Sequence, residues 1–281
     1  MTSSHTFSLI ELLTIVFLLT IVITFIFSAI PQSNKNIKIS GVSTGIVFSW
    51  FGTFILGTPD LVPRFNSNEI ITLSISFLFL GLFLDLNPKL NKLFIWIVLI
   101  FSGMITIIWM LNEVKFYSIF FLIGWITLQI KLQRESIQNN KTISTAELII
   151  VFSAIGLGLI AWTNNLLVDR DLAFGLSSIC SAFYLCSKIR PNILTGFSII
   201  LIGGGAVFMI IIRLIEQYPS LTPSIILLGF ILFIDRNIIY LSKKYRICNT
   251  MPYLINFTIL AAIPITLSVL TATIASKLTI G

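Results

Sequence analysis

Three charged residues in the first third of the chain have the types and spacing to hold a phosphate. Asp85 ends an apolar segment, and Lys89 and Lys92 follow it closely. A carboxylate beside two ammonium groups at headgroup level can bind a phosphate, with a divalent metal ion on the carboxylate or without one. The alternative is an ordinary helix end whose lysines reach into the lipid headgroups.

Further charged candidates flank two later apolar segments. Lys188 and Arg190 follow one of them, and Asp235 and Arg236 end the other. Ionisable residues at a membrane edge are functional candidates because an unpaired charge in hydrocarbon is costly. The only histidine, His5, lies in the N-terminal tail, so the sequence offers nothing for a histidine base or a histidine-rich metal site.

The elements that must position these residues are membrane helices. Of the 281 residues, 56% are hydrophobic and 10% charged, and the mean hydropathy is +1.01, which excludes a water-soluble domain. The sequence predicts an all-α polytopic integral membrane protein with about ten transmembrane helices, as a single transmembrane domain over residues 1–281. The expected segments are 7–30, 41–58, 69–86, 93–111, 116–131, 146–162, 172–187, 193–213, 222–240 and 254–275.

The distribution of basic residues predicts the orientation. The odd-numbered connectors, with the segment ends beside them, hold 13 of the 18 lysines and arginines, so by the positive-inside rule they are cytoplasmic and both termini are extracytoplasmic. We expect a multi-pass protein of the cell inner (plasma) membrane. The net charge of +7 is scattered singly and in pairs over membrane loops, which argues against a nucleic acid partner.

The motif around Asp85 carries a resemblance. The chain reads Gly81-Leu82-Phe83-Leu84-Asp85, then Asn87-Pro88-Lys89-Leu90-Asn91-Lys92-Leu93. This resembles the polyprenyl-phosphate N-acetylhexosamine-1-phosphate transferases, which include the bacterial phospho-N-acetylmuramoyl-pentapeptide transferase. That family has Gly-Leu-Ile-Asp-Asp at the end of its third helix, followed by Ser-Pro-Lys and a Lys-Leu. Leu84 stands where the family has its first aspartate.

Two later stretches are similar to the same family. Pro191 and Gly196 fall in register with its Pro-Ala and Phe-x-Gly-Asp, but Phe197 stands in place of the catalytic aspartate. Asp235, followed by a basic stretch to Arg246, resembles the family's late Pro-Ile-x-Asp and basic loop. The family's histidine cluster in that loop is missing.

The resemblance implies transfer of a sugar-1-phosphate from a UDP-sugar to a polyprenyl phosphate in cell-envelope polysaccharide synthesis, with Mg²⁺ on cytoplasmic carboxylates. Asp85 would be a catalytic residue and the metal ligand, and Asp235 a second catalytic residue. Substrate phosphates would be bound by Lys89, Lys92, Lys188, Arg190 and Arg236. Since most family carboxylates are missing, we expect a divergent transferase of reduced or altered activity, and its status as an enzyme stays open.

The alternative is a non-catalytic membrane protein that binds a polyprenyl-phosphate lipid or serves as a partner subunit. A homodimer is compatible with either function. A small-solute transporter ranks last, because the sequence shows few of the broken helices or midplane charges typical of transporters.

Overall fold

A computed structural model describes residues 8–29, 39–57, 69–87, 89–111, 118–138, 145–190, 193, 196–234, 237–238 and 253–280. Within these ranges all regular structure is helical and no strand occurs. Long apolar stretches form helices because a helix satisfies all its backbone hydrogen bonds within the segment, as hydrocarbon surroundings require. The all-α class expected from the sequence is therefore confirmed.

Ten α-helices, named α1 to α10, cover most of the described residues. They are α1 Leu9–Ala29, α2 Val42–Leu56, α3 Glu69–Leu86, α4 Lys92–Met110, α5 Ser118–Gln138, α6 Thr145–Thr163, α7 Leu167–Ile189, α8 Phe197–Gln217, α9 Thr222–Leu228 and α10 Tyr253–Ile280. Short 3₁₀ turns precede α2 at Ile39–Gly41, precede α9 at Pro219–Leu221 and follow α9 at Gly229–Phe233.

Eight helices in the described part of the chain are long and apolar enough to cross a membrane. Two shorter apolar helical stretches, Ser118–Gln133 and Pro219–Phe233, accompany them. Each of the ten segments expected from the sequence overlaps one of these elements. The chain is thus a multi-pass membrane protein, while the count of ten spans and the extracytoplasmic termini stay predictions.

Several helix boundaries differ from the predicted ones. Helix α7 begins at Leu167 rather than at 172, so that Asp169 lies in its first turn. The predicted segments leave Asp169 in a connector, whereas the structure places it within a helix. Helix α8 begins at Phe197 rather than at 193, and α5 continues to Gln138 rather than ending at 131.

Helix α8 lies at the centre of the bundle and contacts α2 to α7. Three consecutive glycines let three neighbours approach it. A Cβ on Gly203 would lie 2.9 Å from Ile150 of α6, and one on Gly204 would lie 2.8 Å from Leu132 of α5. A Cβ on Gly205 would meet the ring of Phe77 of α3. Successive residues of a helix point about 100° apart, so each glycine faces a different neighbouring helix.

An aromatic cluster fixes α5 beside α8. The ring of Trp125 stacks on Phe77 at 5.7 Å and lies 5.1 Å from Phe208 of α8. Its indole Nε1 donates a hydrogen bond of 2.7 Å to the carbonyl of Leu99 in α4. The indole reaches that carbonyl because Gly103, one turn further along α4, has no side chain in its path.

Candidate functional site

Asp85 lies at the C-terminal end of α3, with its carboxylate against the first turn of α8. The backbone N–H of Phe197 donates to Oδ1 over 2.7 Å, and the backbone N–H of Ser198 donates to Oδ2 over 2.9 Å. The hydroxyl of Ser198 also donates to Oδ2. The side chain of Asp85 is buried, with 3% of its surface exposed.

Two glycines make this approach possible. A Cβ on Gly81 would lie 2.6 Å from the backbone Cα of Ser198, and a Cβ on Gly196 would lie 2.6 Å from both carboxylate oxygens of Asp85. Side chains at either position would separate α3 from α8. The two glycines that the sequence places beside Asp85 and before Phe197 therefore permit a junction between two helices.

The carboxylate acts as a helix cap supplied by another helix. The first N–H groups of an α-helix have no partner within the helix, and a negative charge there interacts favourably with the helix dipole. Asp85 satisfies two of these N–H groups in α8. Because Gly196 offers no side chain to cap α8 from within its own segment, Asp85 explains why α8 begins at Phe197.

The described groups around the two oxygens of Asp85 are N–H and O–H donors. An Mg²⁺ site needs several oxygen ligands, so the metal site expected at Asp85 stays a prediction. In the part of the chain that the structure describes, no three His, Cys, Asp or Glu side chains are placed to hold a metal ion together. Asp235 and Arg236, the other predicted catalytic and phosphate-binding residues of the last connector, lie outside the described residues.

Lys89 and Lys92 lie just beyond Asp85, and both side chains are exposed. Lys92 is the first residue of α4, whose N-terminus is capped by the side chain of Asn91. Apolar side chains flank the two lysines on both helices and are themselves exposed: 44% of Leu86 and 64% of Leu93. The lysines therefore lie where the apolar surface of the bundle ends.

Lys188 and Arg190 lie at the end of α7, where their described contacts are with other residues. The Arg190 guanidinium lies 4.9 Å from the ring centre of Phe25 in α1, and it donates a hydrogen bond to the hydroxyl of Ser28. The Lys188 ammonium lies 5.1 Å from the ring centre of Tyr184. No described contact joins this pair to Lys89 or Lys92, and a shared phosphate site for these residues stays a prediction.

A buried ion pair at the opposite end of the bundle was missed by the sequence reasoning. Oδ1 of Asp169 in α7 lies 2.7 Å from Nε of Arg213 in α8, and 5% and 14% of the two side chains are exposed. The predicted segments place Asp169 in a connector and Arg213 at the end of a helix. Only the helical position of Asp169 brings it to Arg213, and hydropathy does not reveal that position.

Two buried glutamines were also missed. Gln129 and Gln133 lie one turn apart on α5, with 0% and 8% of their surfaces exposed. Among the described residues, neither atom of the Gln129 amide has a hydrogen-bond partner, and neither does Nε2 of Gln133. The Gln129 amide faces Gly204 of α8. The i, i+4 spacing of two amides in an apolar helix was the available signal.

A cavity of about 690 Å³ lies between α5, α6, α8 and α9. Its walls are mostly apolar, with Leu128, Phe208 and Ile225 among the lining residues. Phe120 of α5 and Ile226 of α9 line it while remaining 66% and 65% exposed. The cavity therefore opens sideways, between α5 and α9, onto the surface that faces the membrane.

Comparisons with protein-family models, with curated proteins and with solved structures give no match to this chain.

Proposed function

We propose that this chain is a non-catalytic integral membrane protein that binds the phosphate of a polyprenyl-phosphate lipid where α3 ends and α4 begins. The observation that carries the proposal is that the Asp85 side chain and the two lysine side chains lie in different surroundings. Asp85 turns inward to cap α8, whereas Lys89 and Lys92 remain exposed beside bilayer-facing side chains.

The position of the lysines supports a lipid phosphate. A basic residue at the end of a membrane helix places its ammonium group at headgroup level while its methylenes cover apolar surface. Leu86 and Leu93 extend that apolar surface on either side, so a hydrocarbon chain could lie along α3 and α4 below its phosphate. The polyprenyl character of the lipid rests on the resemblance of this motif to the sugar-1-phosphate transferases.

The second candidate is the divergent transferase itself, with Mg²⁺ and a UDP-sugar as further partners. The resemblance around Asp85 and Asp235 favours it. Phosphoryl transfer requires charge neutralisation on both the attacking and the leaving oxygens, which such enzymes obtain from several ligands at one place. The contacts of Asp85 with α8 weigh against it, because they occupy the carboxylate with a structural interaction.

Binding and transfer should be measured on the same purified protein in lipid nanodiscs. We expect undecaprenyl phosphate to bind and undecaprenol, which lacks the phosphate, to bind more weakly. The double variant Lys89→Gln, Lys92→Gln should weaken binding of the phosphate by about thirtyfold, since each lysine near a membrane surface contributes about 1 kcal/mol. Lys277→Gln changes an exposed lysine at the other end of the bundle and is the matched control.

The transferase hypothesis is tested by supplying radiolabelled UDP-N-acetylhexosamines and Mg²⁺ to the protein with bound undecaprenyl phosphate. We expect no labelled lipid. Metal-dependent labelling by the wild type would instead establish the transferase, and Asp235→Asn would then report whether that carboxylate takes part. Equal binding of the alcohol and the phosphate would contradict the lipid-phosphate site.

A further inference from the structure

The sideways cavity between α5 and α9 is kept open by two glycines. Gly124 of α5 and Gly229 at the end of α9 both line it, and a Cβ added to either would have no other atom within 4 Å. Most other glycines of the bundle lie against a neighbouring helix, where a Cβ would collide with it. These two instead face empty space, so helix packing does not explain them.

The size of the cavity selects the class of occupant. The volume of the cavity is about 690 Å³. It lies within the range of cavities that enclose small molecules or single chains.

The lining has a polar end. Glu216, in the last turn of α8, and Thr222, the first residue of α9, lie together at the end of the cavity remote from Asp85. Among the described lining residues, Ser153 is the one other with a polar side chain. Along α8, Glu216 is about 27 Å from Ser198, close to the thickness of the hydrocarbon core. The polar end therefore lies at one membrane surface.

Charge at this surface favours a cationic group. Glu216 is exposed and has no ion-pair partner among the described residues. The described charged side chains at this end are five acids and three bases. They are Glu11, Glu69, Asp169, Asp171 and Glu216 against Arg170, Arg213 and Lys277. Arg213 and Arg170 are paired with Asp169 and Asp171, which leaves carboxylates in excess.

We infer that the cavity binds one hydrocarbon chain of a bilayer lipid whose headgroup carries an ammonium group. The chain enters between Phe120 and Ile226 and fills the space beside Gly124 and Gly229. The ammonium group lies at Glu216. This site is separate from the lipid-phosphate site at Lys89 and Lys92, because the two lie at opposite ends of the bundle.

The test uses nanodiscs containing equal amounts of phosphatidylethanolamine and phosphatidylglycerol with identical acyl chains. The full-length protein is released into detergent, and its retained lipids are counted by native mass spectrometry. We expect the wild type to retain phosphatidylethanolamine over phosphatidylglycerol. Glu216→Gln should keep a bound lipid and lose that preference.

Two variants fill the cavity from opposite walls. Gly124→Leu and Gly229→Leu each add a side chain where nothing stands in the way, and Gly229 has a φ of −56° that other residues also adopt. Each should reduce lipid retention by about tenfold or more, since a blocked chain loses the burial of several methylenes. Thr127→Leu adds the same side chain to α5 at an exposed position outside the cavity and should retain lipid like the wild type.

Retention of equal lipid by the wild type and by both filled variants would overturn the site. Equal retention of the two phospholipids by the wild type would overturn the ammonium preference. A third measurement adds undecaprenyl phosphate to the wild type. Displacement of the retained phospholipid would assign the cavity to that lipid's chain and overturn the inference, whereas binding of both together would support two separate sites.

Discussion

Asp169 and Arg213 form a buried ion pair that joins the first turn of α7 to the C-terminal part of α8. Removing one partner leaves the other charge buried alone, which is far costlier than removing both. We expect Asp169→Asn to destabilise the protein by about 3 kcal/mol. The double variant Asp169→Leu, Arg213→Met should recover most of that loss. Thermal unfolding midpoints in detergent measure both, and a double variant no more stable than the single one would speak against the pair.

The Asp85 cap should contribute more to the free energy of unfolding than a hydrogen bond between two neutral groups does. Asp85→Asn replaces one acceptor oxygen by an amide group that faces donors of α8, and we expect a loss of about 2 kcal/mol. Ser198→Ala removes only the hydroxyl donor and should cost about 1 kcal/mol. Lys92→Gln, at an exposed position nearby, is the control and should leave the unfolding midpoint unchanged. Equal midpoints for Asp85→Asn and the control would show that α8 does not need the cap.

Two glycine-to-alanine changes should have opposite signs. At Gly81 the added methyl group would meet the backbone of Ser198, so Gly81→Ala should destabilise by about 1–3 kcal/mol through overpacking. At Gly124 it would meet nothing, and Gly124→Ala should stabilise by about 0.5–1 kcal/mol because alanine has the higher helix propensity. A raised midpoint for Gly81→Ala would contradict the geometry of the α3–α8 junction, and a lowered midpoint for Gly124→Ala would contradict the open space beside that glycine.

The buried Gln129 amide should lower the stability of the protein unless a water or a ligand binds it. A buried amide without partners costs about 1–3 kcal/mol. Gln129→Met keeps the length of the side chain and removes both unsatisfied atoms, so we expect a higher unfolding midpoint by thermal denaturation. Ile126→Met, on the same helix, serves as control. A lower midpoint for Gln129→Met would indicate a water or ligand that the amide holds.

The orientation in the membrane is open to direct measurement. Charge distribution places Lys89 on the cytoplasmic side and Lys277 on the other, and both side chains are exposed. In a background without accessible native cysteines, Lys277→Cys should react with a membrane-impermeant maleimide in intact cells, whereas Lys89→Cys should react only after permeabilisation. The reverse pattern would invert the topology and place both termini in the cytoplasm.

The helices were predictable from the sequence because the apolar segments are long and Pro or charged residues separate them. The helix boundaries were less predictable, because they depend on contacts between distant parts of the chain. The start of α7 contains Asp169 and Arg170, which low hydropathy assigns to a loop. The ion pair with Arg213, forty-four residues later, offsets the free-energy cost of burying the Asp169 carboxylate.

The candidate site was predictable in residue type but not in arrangement. The spacing of Asp85, Lys89 and Lys92 suggests a single phosphate-binding group, and nothing in that segment reveals that Asp85 turns away from the lysines toward α8. The sequence indicated the cavity even less clearly. Gly124 is an isolated glycine in an apolar helix, which usually indicates close helix packing, and only the structure shows that its neighbours leave the space open.

The three glycines at the centre of α8 make that helix intolerant of changes in length. Gly203, Gly204 and Gly205 face α6, α5 and α3 in turn. Deleting one residue ahead of them would rotate the rest of α8 by about 100° relative to Ser198. Each glycine would then face the wrong neighbour, and Arg213 would point away from Asp169. Insertions and deletions in this helix should therefore be far rarer in natural variants than substitutions on its surface.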